Sequence, residues 1–137
     1  MNVAARLNNL AESLRNQGKF SEAEPLHRES LAIRKKALGN DHPNVAESLN
    51  NLALLLRNQG KFSEAEPLYR ESLAILKKAL GNDHPNVAGS LNNLARLLSD
   101  QGKKKEAEAL GREALQIAKK ALGDDHPTTK LLQRSWG

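Results

Sequence analysis

Pro43 to His84 reads PNVAESLNNLALLLRNQGKFSEAEPLYRESLAILKKALGNDH, and this stretch decides the fold. Proline is accepted at a first helical position, because its missing N–H would have no intrahelical partner there. Asp41 or His42, just before it, is the expected cap. Leu49, Leu52, Ala53 and Leu56 follow at i, i+3, i+4 and i+7, the buried stripe of an amphipathic helix. Gly60 ends that helix, since glycine readily takes the left-handed conformation past a terminus. Ser63-Glu64-Ala65-Glu66 then has the form of a capping box, with the serine oxygen taking a backbone N–H and the glutamate reaching back. On that reading Pro67 lies in the first turn and breaks no intrahelical bond. Leu68, Leu73, Ile75, Leu76, Ala79 and Leu80 supply the second apolar face. Lys77 and Lys78 close the helix beside the negative end of its dipole, and Gly81 stops it.

The same text recurs in both directions. LNNLA stands at Leu7–Ala11, Leu49–Ala53 and Leu91–Ala95, and Gly18, Gly60 and Gly102 share the same step of 42 residues with His42, His84 and His126. A period of about 20–50 residues marks a stacked repeat protein. The expected fold is all-α, an α-α superhelix of three 42-residue helix-turn-helix repeats (1–42, 43–84 and 85–126) with a tail at 127–137, read as one domain. The edges depart from the pattern. Arg6, Glu12 and Ser13 replace Ser48, Leu54 and Leu55, while Lys104, Lys105, Gly111 and Ala118 replace Phe62, Ser63, Tyr69 and Leu76. Terminal repeats have one uncovered side, and polar replacements keep it soluble. Met1-Asn2 opens without the Asp-His-Pro cap, so a natural end, an excised fragment and an idealised array all stay open. The tail from Pro127 to Trp136 begins like a fourth first helix, and Leu131, Leu132 and Trp136 are expected to cover the last core layer.

Here the spacing resembles the tetratricopeptide repeat: Leu52 and Ala53 as the large-small pair, Leu56 one turn on, Gly60 at the turn, Ala65 and Tyr69 in the second helix and Ser72 near its end. The 42-residue length, with LNNLA, QGKF, EAEPLYRESL and ALGNDHPNVA, is similar to the variant in kinesin light chains and related repeat proteins. The resemblance implies an α-solenoid whose concave face binds short extended peptides. The common repeat has only about 34 residues, and the surplus is assigned to a longer second helix and its exit loop.

The resemblance also directs attention to the first helices. Asn8, Asn50 and Asn92 recur off the leucine stripe, at ~100° per residue. Asparagines at matching positions of tetratricopeptide proteins commonly bond a peptide backbone, and an amide suits that task because it both donates and accepts. Glu12, Leu54 and Arg96 follow one turn later; this position varies while its surroundings stay fixed, which makes it the candidate for specificity. Arg15 and Arg57, with Ser99 in the third copy, lie nearby, and arginine can hold a carboxylate through two bonds. The neighbouring Asn9, Asn51 and Asn93 are read instead as ties between helices.

Composition narrows the rest. The chain has 137 residues, 39% of them apolar and 27% charged, with a net charge of +5. Without cysteine there is no disulfide or thiolate chemistry. No run approaches the ~18 apolar residues that cross a bilayer, and no signal peptide is visible, so a cytoplasmic, non-membrane protein is the default reading. Much of the charge is lysine at helix ends, Lys35-Lys36, Lys77-Lys78 and Lys119-Lys120. Nucleic acid is not the expected partner, because aromatic platforms for base stacking are nearly absent. Equivalent histidines of successive repeats lie on the order of 10 Å apart, too far for His42, His84 and His126 to share one ion. His27, standing where repeat two has Tyr69, is read as a packing variant. The glycines end helices and form no phosphate loop, the carboxylates act as caps and solvated face, and no serine sits in a nucleophile motif. No enzyme activity, metal or cofactor is therefore expected. The expected function is non-enzymatic binding of a protein or peptide, acidic where it meets the arginines. The alternative is a structural array that self-associates through its terminal repeats.

Overall fold

The computed structural model describes residues 2–137, and the opening Met1 lies outside them. Among the described residues there are seven helices and no strand: α1 (Asn2–Asn16), α2 (Phe20–Leu38), α3 (Pro43–Asn58), α4 (Phe62–Leu80), α5 (Pro85–Asp100), α6 (Lys104–Leu122) and α7 (Pro127–Trp136). First and second helices alternate at 15 or 16 and 19 residues, so the surplus over a shorter repeat does sit partly in a longer second helix. The chain divides into two compact units, Met1–Ile75 and Leu76–Gly137, with the boundary inside α4.

In the first unit α1 packs on α2, and α2 on α3. Ala11, Ala23 and Leu55 are sealed together, with Leu14, Phe20 and Leu26 around them. Small residues at 11 and 23 let the helix backbones approach closely enough to exclude water. A buried hydroxyl ties α2 to α1 and α4 to α3: Ser30 Oγ donates to the Ala4 carbonyl and Ser72 Oγ to that of Ala46, both at 2.8 Å. In the second unit α5 packs on α6, and α6 on α7. There Ala114 occupies the serine's place and is buried without such a tie.

The turns explain where the helices begin. Gly60 takes φ +76°, its N–H donates to the Arg57 carbonyl at 2.9 Å, and the Lys61 N–H donates to the Leu56 carbonyl at 2.8 Å. This pair of bonds satisfies helix-end carbonyls in the Schellman manner. It also starts the next helix two residues earlier than a capping box at Ser63 requires. α4 begins at Phe62 and α2 at Phe20, after a Lys19 that gives no side-chain cap. The expected serine cap is therefore not formed, and Ser21 and Ser63 lie inside the first turn. Pro25 and Pro67 consequently fall within their helices, where each leaves the carbonyl four residues back without its intrahelical donor.

The Asp-His-Pro starts behave as read. Nδ1 of His42, His84 and His126 accepts the N–H of Asn44, Asn86 and Thr128 at 3.0–3.1 Å, with proline at the first helical position. Imidazole here does the work usually given to a serine or aspartate oxygen. In the tail, Leu132 is buried and Trp136 half-buried, but Leu131 is 50% exposed. It points away from the layer it was expected to cover, because α7 turns Thr129 and Leu132, three residues apart, toward α6 instead.

Candidate functional site

The first helices carry the candidate residues, and the leucine-alanine stripe fixes their direction. Burying Leu49, Leu52, Ala53 and Leu56 of α3 turns Asn50, Leu54 and Arg57 to the half-buried margin of the same helix. On α5 the matching stripe leaves Asn92 half-buried and Arg96 exposed.

On α1 the arrangement is more enclosed. Asn8 is only 8% exposed, and its Oδ1 accepts the amide of Asn51 on α3 at 2.9 Å. The two asparagine rows, read as serving different purposes, meet here in one bond. Glu12 Oε2 accepts Arg15 Nη2 at 2.9 Å. Its other oxygen lies 3.4 Å from Nε2 of His27 on α2, and neither of these two atoms has a hydrogen-bond partner. The His27 ring is fully buried. Burial, the largest influence, holds its pKa below the ordinary value; the Glu12 carboxylate opposes this and the Arg15 guanidinium adds to it. The neutral imidazole is thereby favoured beside Glu12.

In the second unit Asn92 Oδ1 accepts the indole N–H of Trp136 at 2.8 Å. The ring reaches it by lying over Gly111, where a Cβ would overlap the indole. Tyr69 occupies the matching place in repeat two and His27 in repeat one. The bond from Asn51 to Asn8 is the tie between helices that the sequence reading assigned to Asn51, whereas His27 and Trp136 were not named as neighbours of the candidate residues. One signal was available: the only tryptophan appears in the tail of the one repeat whose aromatic position is emptied to glycine.

Another tie joins α2 to α3. The buried Arg34 donates to the Asn44 carbonyl, Glu47 and Ser48 at 2.9–3.1 Å. Leu76 replaces it in the next repeat, and Ser90, matching Ser48, keeps a buried hydroxyl with no partner. Among the described residues no group of three His, Asp or Glu is placed to hold a metal ion, and no helix is long and apolar enough to cross a membrane.

The family model for the tetratricopeptide repeat matches residues 2–78 and again 51–120. Among solved structures, the chain is similar to a Podosopora anserina protein assigned as a kinesin light chain with nearly identical TPR-like repeats. The two are 30% identical, with a TM-score of 0.88 over 96% of this chain and 63% of that one. BtubC from P. vanneervenii is 24% identical, with a TM-score of 0.86 over 94% of this chain and 52% of that one. The N-terminal domain of stress-induced protein-1 from C. elegans, 13% identical, gives a TM-score of 0.69 over 97% and 94%. The last two show likeness of fold alone. The chain spans 63% of the length of the Podosopora anserina structure and 52% of that of BtubC. Among curated proteins, no sequence matches it. The repeat length, the helix pairs and the family model agree: the chain belongs to the tetratricopeptide repeat family, a family of protein-interaction scaffolds, in the long-repeat form similar to kinesin light chains.

Proposed function

We propose that the chain is a cytoplasmic, non-enzymatic module that holds an extended peptide on the concave side formed by its first helices. The observation that carries this reading is position 12/54/96. Glu12 and Leu54 are half-buried and Arg96 is exposed, so a position outside the sealed core changes from acid to apolar to base while LNNLA beside it stays constant. A fixed row of amides next to a variable row fits recognition of a constant backbone and differing side chains. Asn50, Arg57, Asn92 and Arg96 are assigned to contact the peptide, with acidic side chains meeting the arginines. Asn8, enclosed by its bond to Asn51, is assigned to align that row. The test takes a peptide selected on a degenerate array at moderate salt and measures its affinity for Asn50→Ala and Arg57→Ala chains. Loss of one hydrogen bond to a charged group is expected to weaken binding by ~1.5–3 kcal/mol. Unchanged affinity with intact helicity removes the proposal.

A second reading, self-association, draws on α1. Val3 and Leu10 are exposed, while Val45 and Leu52 at the matching positions of α3 are sealed. An apolar face of this kind is a surface on which another helix packs. Sedimentation over a concentration series decides: association abolished by Leu10→Asp supports it, and a monomer at high concentration rejects it.

A further inference from the structure

The helices on either side of the first two repeat junctions are nearly the same text. α2 and α4 differ only at 27/69 and 34/76. The Gly-Asn-Asp-His turns that follow them are identical. α3 and α5 differ only at 47/89, 54/96, 57/99 and 58/100. Val45, Ala46, Leu49 and Leu52 of α3 are matched on α5 by Val87, Ala88, Leu91 and Leu94, and all are buried. Burial of apolar surface is non-directional. It gives α2 no reason to dock on α3 in preference to α5.

Among the positions that differ, 34 and 47 bond across the junction. Arg34 donates to Glu47 Oε1 and Ser48 Oγ at 2.9 Å and to the Asn44 carbonyl at 3.1 Å. Asn86 and Ser90 repeat two of these acceptors on α5, but Gly89 stands where Glu47 would be and Leu76 where Arg34 would be. The remaining copies carry Ala5 and Ala118 at these positions, so the pair occurs once. Stability does not call for it. Leucine serves at 76 in α4, and well-packed apolar residues commonly equal or exceed a buried ion pair. Arg34 is 7% exposed and its Nε has no acceptor, so part of its lost hydration is not returned. A buried cation supplies selectivity instead: it is tolerated beside a carboxylate and costly without one.

We propose that Arg34 and Glu47 form a key that fixes the order of the repeats. Arg34 admits α3 as the neighbour of α2 and rejects α5, where Gly89 offers no carboxylate. Leu76 makes the complementary choice, since on α3 it would take water from Glu47 without pairing it. Repeat proteins are prone to misassembly of like units, and the key bars that error between two junctions that are otherwise alike. Docking α2 on α5 of the same chain would leave α3 and α4 unpacked, so the error arises between chains and shows as oligomers. The key acts independently of peptide binding.

The experiment refolds the whole chain and three variants from urea over a range of concentrations. Size exclusion with light scattering measures the monomer yield, and circular dichroism the helicity. Arg34→Leu with Glu47→Gly copies the native α4–α5 junction, so it is expected to regain the parent's helicity while the oligomeric fraction rises about fivefold or more. Glu47→Gly with Gly89→Glu keeps the parent's composition and charge but moves the carboxylate to α5, and the fraction is expected to rise further. Adding Arg34→Leu and Leu76→Arg to that variant moves the whole key to the second junction and is expected to restore the monomer. Either double variant refolding like the parent overturns the key, as does a moved key that fails to restore the monomer. Lost helicity in Arg34→Leu with Glu47→Gly makes the pair a stabilising element and overturns the assignment of order.

Discussion

At α1, Val3 and Leu10 stand 58% and 52% exposed, while at the other end α7 lays Leu132 and Trp136 over α6. Repeat position 27/69/111 differs between the two units as well. It holds a buried histidine beside a carboxylate in the first unit and no side chain at all under Trp136 in the second. A repeat sequence therefore fixes which positions face a neighbour, and the neighbour decides what those positions mean energetically. Leu10 and Leu52 are the same residue in the same LNNLA string, with opposite burial.

That pair gives the sharpest test. Leu52→Ala removes a side chain that is 1% exposed and is expected to cost about 2–5 kcal/mol, as cavity-forming core truncations do. Leu10→Ala is expected to change stability by roughly 0.5 kcal/mol or less. Urea melts of both variants measure the difference. Equal losses mean that the α1 face is covered in solution, which transfers weight to self-association.

The opposite end is tested by filling the space under the indole. Gly111→Ala places a methyl group where the Trp136 ring lies, an overpacking that is expected to cost about 1–3 kcal/mol. Trp136 is the sole tryptophan, so its emission reports on the change directly. A red shift is expected as the ring leaves Asn92 and meets water. Unaltered emission with unaltered stability contradicts the docking of α7 on α6.

How much of this was legible depended on whether the information was local. The helices, the glycine turns and the histidine starts follow from neighbouring residues and recur three times, so the period exposed them. The serine caps were misread because two local signals compete, and the Gly60 turn, with Lys61 bonded to Leu56, wins over Ser63. The surroundings of the candidate residues were not legible. Asn8 meets Asn51 and Asn92 meets Trp136 across 43 and 44 residues, and neither spacing equals the 42-residue repeat, so the period itself conceals them. Glycine at 111 reads as a gap until the ring that fills it is known.

His27 offers a smaller contrast, visible as a slope against pH. Its folded pKa lies below the ordinary 6.5, so between those values the unfolded chain binds more protons than the folded one. The stability it contributes is complete above about pH 6.5 and falls as the pH drops toward the lowered folded value. The double change His27→Tyr with Glu12→Leu restores the pairing of Tyr69 and Leu54 from repeat two. Thermal melts at pH 7.5 and 5 are expected to show a smaller acid loss for this variant than for the parent. An equal loss means that His27 does not carry the pH dependence.

The smallest effect concerns the lysines that close the second helices. Lys35–Glu71 and Lys77–Glu113 repeat one contact within separate units, at 3.5 and 3.8 Å, with side chains about two fifths exposed. Exposed pairs of this kind contribute about 0.2–1 kcal/mol, because water already solvates both charges and ordering two long side chains opposes the attraction. A double-mutant cycle with Lys35→Gln and Glu71→Gln is expected to give a coupling near the lower bound, fading as salt shortens the Debye length to about 3 Å at 1 M. Lys119→Gln is expected to leave stability unchanged, since among the described residues no carboxylate pairs with it. A coupling above 1 kcal/mol at Lys35, or a stability loss at Lys119, makes these lysines structural.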